Sequence, residues 1–392
     1  ARFLSEFSID YLPHGYIVTG LVGYIAGLLL TRFQRQLSYI KLPRLIVLLL
    51  LVLTLIFRLG LWYMPSRWLT FGMFVTIGLF TIFINYIFTS LATRLFDLRQ
   101  SKRLLSLASS GNVVSSIIGF FSVPLFLLFG NPADLLLIVA ASLILCVMVL
   151  NAISRRFAPQ LSTQQSEKKE QAESGFAEML KNRYFVLIFL LTAAWVLVFH
   201  YVDYTFLAQL RIRYQDQAVL AQFIGFFYGV IKIVELIIKT SLARRLMAQY
   251  GLRFGLMVLP VLLLMCNGLA ALSSPLGVAG MMLFSLMALS KLLERAVWKA
   301  LYIPSFTILY QPLSSDLRLP LQTKVDVMIQ PLAVGLAGAT LLFFSWVGSF
   351  NLVLGMLVAI LAGWIIVCLL MNREYRTILM QNLETQFEGG GG

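Results

Sequence analysis

Long apolar runs alternate with short polar stretches along most of the chain. Each run holds roughly 20 residues, enough for a helix to cross a hydrocarbon layer about 30 Å thick. Backbone groups in lipid must be satisfied within the segment, and the alternating pattern of a membrane barrel is absent, so the runs predict helices. Eleven spans are predicted, at 12–31, 45–63, 68–93, 109–130, 133–153, 184–207, 217–239, 252–272, 277–303, 322–346 and 350–371. The pattern therefore predicts an all-α polytopic membrane protein.

The composition agrees with this prediction. Apolar residues make up 59% of the chain and charged residues 12%, whereas soluble domains carry about 45–50% and about 25%. The net charge of +14 does not indicate a nucleic-acid partner, because the basic residues are concentrated in alternate short loops. Cys146, Cys266 and Cys368 each lie inside an apolar run and are interpreted as buried hydrophobic residues rather than disulfides or metal ligands.

The distribution of basic residues predicts the topology. Lys and Arg are frequent in the loops around 32–44, 94–103, 155–183, 244–253, 318 and 373–376, and rare in the loops between them. The positive-inside rule then places the linker and the C-terminus in the cytoplasm and residue 1 outside, as expected for a bacterial inner-membrane protein. The predicted domains are an N-terminal bundle at 1–153, a cytoplasmic linker at 154–183, a C-terminal bundle at 184–372 and a cytoplasmic tail at 373–392.

The two halves also resemble each other. Residues 30–53 and 241–264 both consist of a helix end, a basic loop and a new apolar run. Parallel repeats of this kind are typical of transporters. The offset between the halves implies that the first half lacks its first helix, so that eleven of an expected twelve helices are visible. The terminal glycines are interpreted as a linker and excluded from the fold.

Three segments, 95–125, 226–264 and 294–332, resemble the ATP/ADP translocase family of nucleotide transporters, and the chain looks like a divergent bacterial relative. The resemblance implies a major-facilitator-like fold of two helical bundles. It also implies soluble regulatory domains or other membrane subunits as partners. The fourth helix of the nucleotide exchangers carries an acidic residue, whereas the matching stretch 81–96 offers Asn85 instead.

Charged residues inside the second half are the strongest chemical signal, because an intramembrane charge persists only with a partner, water or a function. Lys232 and Glu235 are three residues apart and share one helix face. They are interpreted either as a substrate or coupling-ion site or as a self-neutralised pair in a polar seam.

Lys291, Arg295 and Lys299 follow at intervals of four residues and form one basic stripe. A guanidinium can hold a carboxylate or phosphate by two parallel hydrogen bonds. The hypothesis is that Arg295, with Lys291 or Lys299, attracts an anionic substrate. Alternatively, these side chains extend to the cytoplasmic surface.

Two further groups are candidates for gating or coupling. His200 and Asp203 lie about one turn apart and are interpreted as a proton relay or as a hydrogen-bonded contact at the rim. The second group consists of charged residues at repeat-related cytoplasmic junctions, namely Asp97, Arg99, Arg103, Lys324 and Asp326. These residues are predicted to form ion pairs that latch one half against the other, or else only to signal topology.

No phosphate-binding loop and no zinc-protease motif occurs, so no enzyme, cofactor or metal site is predicted. The leading interpretation is a secondary active transporter in the lipid bilayer. It would move an organic anion, such as a nucleotide, by alternating access. The alternative is a transport-silent module that anchors or regulates partner proteins within a larger membrane complex.

Overall fold

The architecture was obtained as a computed structural model that describes residues 2–36, 41–95, 98–156, 179–273, 280–313, 315–347 and 350–389. The described residues are helical and contain no strand. The α-helices are α1 (Arg2–Glu6), α2 (Leu12–Gln36), α3 (Lys41–Tyr63), α4 (Arg67–Leu95), α5 (Leu98–Phe126), α6 (Leu135–Arg156), α7 (Arg183–Arg213), α8 (Gln217–Ile237), α9 (Ala243–Ser273), α10 (Gly280–Val297), α11 (Ile303–Ile308), α12 (Ser315–Lys324), α13 (Gln330–Trp346) and α14 (Phe350–Gly389).

Three π-helical segments join consecutive α-helices without a break. They are Ile238–Leu242 between α8 and α9, Trp298–Tyr302 between α10 and α11, and Val325–Ile329 between α12 and α13. A π turn widens the helix locally and is frequent at functional sites. In α9, Gly251 interrupts the helix with a φ of 70°, a conformation that favours glycine.

Nine helices within the described ranges are long and apolar enough to cross a membrane. They coincide with nine of the eleven predicted spans. The predicted span 109–130 overlaps the end of α5, of which Gly111–Phe126 is an apolar segment. The predicted span 277–303 covers α10, which is less apolar because it carries Lys291, Glu294 and Arg295. The protein is therefore an integral membrane protein.

The described residues form two compact units. Unit 1 comprises those within Ala1–Tyr11, Leu21–Ala172 and Tyr214–Gly229, and unit 2 those within Leu12–Gly20, Glu173–Arg213 and Val230–Gly392. Both units are discontinuous in sequence, because the start of α2 belongs to unit 2 and the first part of α8 to unit 1. The predicted division at the linker stays a prediction, since residues 157–178 lie outside the described residues.

Unit 1 has its core between α3 and α6. Leu50 and Val47 of α3 pack with Leu143 and Leu150 of α6 in one buried apolar cluster. On other faces of α3 large apolar side chains such as Leu49 remain exposed, as expected of a helix that faces lipid. In the same unit, Gly225 and Gly229 of α8 pack on α5.

Unit 2 is organised around α7, which packs against α10, α13 and α14. In the most apolar stretch of α7, 61% of the residues are buried, against 22% in α3. The start of α2 lies very close to α13, because a β-carbon on Gly20 would come within 2.5 Å of the backbone nitrogen of Gly335. Glycines permit this close approach of the two backbones. A central helix buried on several sides is therefore the setting for the charged residues of unit 2.

Candidate functional site

Helices α7 and α10 bring four charged side chains into contact in unit 2. They are Asp203 of α7 and Lys291, Glu294 and Arg295 of α10, here called the ion network. Glu294 and Arg295 follow Lys291 by three and four residues, about one helical turn, and so lie on the same side of α10. With two carboxylates and two cations, the ionised network is neutral.

Lys291 is the buried centre of the ion network. Its side chain is 0% exposed, and its Nζ lies 2.5 Å from Asp203 Oδ1 and 2.5 Å from Glu294 Oε2. Nζ also lies 4.7 Å from the ring centroid of Phe199. A buried ammonium needs such partners, because removing a charge from water costs several kcal/mol. This geometry makes Lys291 a counter-ion of two carboxylates.

Arg295 is held more loosely. Its Nη2 lies 3.4 Å from Asp203 Oδ2 and its Nε 3.5 Å from Glu294 Oε2, and 31% of its side chain is exposed. The guanidinium carbon lies 3.9 Å from the ring centroid of Phe199. These contacts are longer than the usual 2.7–2.9 Å of charge-assisted hydrogen bonds. Arg295 thus combines partial exposure with long contacts to the two carboxylates, which suits a group that binds a ligand anion.

Glu294 lies beside both cations. Its side chain is 2% exposed, and only Oε2 makes the contacts with Lys291 and Arg295. Oε1 is buried, and none of the described residues donates a hydrogen bond to it. In the sequence Glu294 lies beside the basic stripe, but only the structure identifies it as a member of the network.

Aromatic side chains form a wall next to Arg295. The ring centroids of Trp195 and Trp298 are 5.1 Å apart, and Phe199 lies 6.0 Å from Trp195 and 5.7 Å from Trp298. The indole N–H of Trp298 is buried, and no described residue accepts a hydrogen bond from it. The positions 195, 199 and 203 follow at intervals of four residues in α7. That spacing is the sequence signal that could have predicted Trp195, Phe199 and Asp203 on one face of α7, whereas Trp298 comes from a different helix.

His200 lies on α7 beside the network, but its ring contacts Val196 and Tyr16. Its Nδ1 lies 2.8 Å from the backbone oxygen of Val196, which can only accept, so Nδ1 carries the proton. The ring packs edge-to-face on Tyr16 of α2 at 4.6 Å. Asp203 contacts Lys291 and Arg295 instead. The proton relay between His200 and Asp203 stays a prediction.

Lys232 and Glu235 form an ion pair on α8, with 2.7 Å between Nζ and Oε2. The shared helix face that the sequence predicts therefore brings the two groups together. Lys299 is exposed, lies in a π-helical segment, and interacts electrostatically with Lys232, Glu235, Arg295 and Lys239. Lys239 lies in the π segment Ile238–Leu242, which contacts the one that carries Lys299. Lys299 and Lys239 thus add positive charge beside the neutral pair.

The predicted latch residues are only partly described. Lys324 ends α12, and Asp326 in the following π segment accepts a hydrogen bond of 2.7 Å from Gln330 Nε2. Asp97 lies outside the described residues. The side chains of Arg99 and Arg103 in α5, and of Asn85 in α4, lie outside them as well. The roles predicted for these residues stay predictions.

A buried polar contact joins α9 to α10 next to the network. Asn267 Nδ2 donates 2.8 Å hydrogen bonds to Ser290 Oγ and to the backbone oxygen of Leu263. Ser290 directly precedes Lys291, so this contact helps to fix the start of the network. Within the ranges described, no group of three or more His, Cys, Asp or Glu side chains is arranged to hold a metal ion.

Comparison with known proteins gives a family and a fold. The profile of the family described as "TLC ATP/ADP transporter" matches residues 51–375. The solved structure of the nucleoside transporter NupG is similar over 95% of this chain and 91% of its own, with a TM-score of 0.60 and 12% identity. A variant of NupG in which one aspartate is replaced by alanine matches with a TM-score of 0.60 and 13% identity, over 95% of this chain and 92% of the variant. No curated protein sequence matches the chain.

Proposed function

The chain belongs to the TLC ATP/ADP transporter family, whose profile matches residues 51–375, and on this premise we propose that it transports nucleotides or nucleosides across a membrane. Within this class, the proposed substrate is an organic anion of the nucleotide type. The proposed activity is secondary active transport rather than catalysis. The chain shares its fold with solved structures of a nucleoside transporter, and this likeness supports the proposal.

The proposed transport mechanism is alternating access in a major-facilitator-like fold. The internal repeat of the sequence supports two helical bundles related by pseudo-symmetry, and rocking of such bundles exposes a site to each side of the membrane in turn. The proposed location is a bacterial inner membrane, and the positive-inside pattern supports a cytoplasmic linker and C-terminus. Ion pairs of Lys324 and Asp326 with Asp97, Arg99 and Arg103 are the proposed latch of this movement.

The observation that carries the proposal is the state of Arg295. Its guanidinium is partly exposed, stacked on Phe199 and weakly engaged with two carboxylates. A planar guanidinium binds phosphate by two parallel hydrogen bonds, and a substrate phosphate can compete with such long contacts. Exposed Lys299 is the proposed second cation. Lys291 is too deeply buried for direct contact with a substrate and serves as the fixed counter-ion.

The aromatic wall supports the nucleotide class in particular. Trp195 and Trp298 are partly exposed next to Arg295. A nucleobase that stacks on such a ring gains about 1–3 kcal/mol, largely independent of the base. A nucleotide would thus place its base on the wall and its phosphates on Arg295 and Lys299. Lys232, Glu235 and Asn85 remain proposed contributors to the same substrate site.

Uptake by proteoliposomes tests the proposal. The purified protein is reconstituted, and the uptake of radiolabelled ADP, ATP and adenosine is compared with that of protein-free vesicles. Replacing Arg295→Gln removes a charged hydrogen-bond donor worth about 1.5–3 kcal/mol, so nucleotide uptake should fall roughly 10- to 100-fold. Arg376→Gln, at an exposed position of α14, is the matched control and should transport normally. Unchanged uptake by folded Arg295→Gln protein would show that Arg295 does not bind the substrate.

The alternative of a transport-silent module is favoured by one observation. The ion network is neutral as a whole, and its central cation is completely buried, as in a purely structural cluster. This alternative predicts that folded wild-type protein takes up none of the three compounds and is purified together with other membrane or soluble subunits.

A further inference from the structure

The two cations of the ion network are held to different degrees. Lys291 lies 2.5 Å from a carboxylate oxygen of both Asp203 and Glu294 and is completely buried, whereas the contacts of Arg295 with the same carboxylates are 3.4 and 3.5 Å. Coulombic attraction falls with distance and with exposure to water. A change in the network will therefore displace Arg295 first and leave Lys291 in place.

Displacement of Arg295 changes the charge of the remaining network. Asp203 and Glu294 contribute −2 and Lys291 contributes +1, so the three groups together carry −1. An uncompensated charge in a buried site is unfavourable, and a carboxylate in this situation is neutralised by taking up a proton. Binding of a substrate anion by Arg295 would create this situation.

The geometry indicates which carboxylate takes the proton. Asp203 uses both oxygens, Oδ1 with Lys291 and Oδ2 with Arg295, and its side chain is 18% exposed. Glu294 is 2% exposed and uses only Oε2, whereas the described residues offer no donor to its buried Oε1. A proton on Oε1 neutralises the more deeply buried carboxyl group and leaves the contact between Oε2 and Lys291 intact.

We propose that Glu294 binds a proton when Arg295 turns to an anionic substrate, so that the anion and the proton cross the membrane together. The proton comes from an acid of the surrounding solution, hydronium or the buffer acid, whose bond to the proton breaks as an O–H bond forms at Oε1. This inference rests on the proposed function and adds the coupling ion to it. Among the described residues, the charged groups that interact with Glu294 are Asp203 on α7 and Lys291 and Arg295 on α10. His200 on α7 interacts with Asp203, Lys291 and Arg295. From α9, the neutral Asn267 contacts Ser290.

The test measures protons taken up on binding. ADP is titrated into the purified full chain by calorimetry in two buffers of different ionisation enthalpy, at a pH above the range in which nucleotide phosphates titrate. The difference in heat gives the protons exchanged per ADP bound. Wild-type protein should take up protons with ADP, whereas Glu294→Gln, which mimics the protonated acid, should bind ADP without proton uptake. Glu374→Gln, which removes a carboxylate from the peripheral pair with Arg183, should behave as wild type.

Each outcome has a defined meaning. ADP binding by the wild type without proton uptake would overturn the inference and leave the proposed function standing. Proton uptake that persists in Glu294→Gln, or that disappears in His200→Gln instead, would equally overturn it. The wild-type measurement decides the question even where Glu294→Gln does not fold. If ADP neither binds to the wild type nor enters proteoliposomes, the proposed function fails, and the inference falls with it.

Discussion

Units 1 and 2 are both built from apolar helices, but they hold their charged groups in different ways. In unit 1, Arg58 of α3 pairs with Asp134 just before α6, with side chains 14% and 26% exposed, and Arg58 also lies 5.1 Å from the ring of Trp62. In unit 2, Lys291 is completely buried between two carboxylates. The pair of unit 1 lies near the end of α3, whereas Lys291 of unit 2 lies on α10, where α10 packs against the central helix α7.

This difference shows which surroundings can stabilise a charged side chain in a membrane protein. A charge at a helix end reaches water and needs little support. A charge on the inner face of α10 must be neutralised by nearby partners, here Asp203 on α7 and Glu294 on α10 itself. The buried network therefore ties the charged residues of unit 2 to its folding, and three sets of substitutions can break or sharpen the contrast with unit 1.

The largest effect is expected from Lys291→Met in unit 2. Removing the shared cation leaves the buried Glu294 and the partly buried Asp203 with the long contacts to Arg295, and breaking a buried pair in this way costs about 3–5 kcal/mol. Thermal unfolding in detergent, followed by tryptophan fluorescence, should show a much lower Tm. The triple variant with Asp203→Asn and Glu294→Gln should recover most of the loss. A normal Tm for Lys291→Met would show that the network does not stabilise unit 2.

An intermediate effect is expected at the glycine contacts. Gly20→Ala in unit 2 would press a methyl group against the backbone of Gly335, which cannot move aside, and such overpacking costs about 1–3 kcal/mol. In unit 1, Gly229→Ala meets the ring of Phe121 at 2.8 Å, and a side chain can rotate away. The Tm should therefore fall more for Gly20→Ala than for Gly229→Ala. Gly355→Ala, where the added β-carbon has nothing within 4 Å, is the control. Equal losses at Gly20 and Gly229 would contradict this reasoning.

The smallest effect is expected from Asp134→Asn in unit 1. The pair with Arg58 is partly buried at a helix end, so its loss should cost well below the value for a fully buried pair, about 3–5 kcal/mol. The Tm and the uptake of nucleotides should remain close to those of the wild type. A loss as large as that of Lys291→Met would mean that unit 1 also depends on a charged centre, and the contrast between the units would disappear.

Much of the fold could be predicted from the sequence. The helical membrane architecture and the membership of the ATP/ADP transporter family are confirmed, and nine predicted spans coincide with helices that can cross a membrane. These features are encoded locally, because a helix in lipid satisfies its own backbone and its length must match the bilayer. The pairing of Lys232 with Glu235 could also be predicted, since residues three apart share a helix face.

The candidate site was harder to predict from the sequence. Lys291, Arg295 and Lys299 look equivalent in the sequence because they follow at the same interval. In the structure, one is buried, one is partly exposed and one is exposed. The difference arises from Asp203, which lies 88 residues before Lys291 in the chain and reaches it only through the packing of α7 on α10. The same packing creates the contact of Arg295 with Phe199.

The sequence by itself thus determined which segments are helices in a membrane, which family they belong to and which helices carry charge. Only the tertiary structure decided which charges meet, because contacts between α7 and α10 depend on how two distant helices face each other. Hydrophobic length and helical period are properties of a single segment, whereas neutralisation of a buried cation is a property of its neighbours. That is the physical reason why α10 could be recognised as unusual from its residues, while the different roles of Lys291, Glu294 and Arg295 could not.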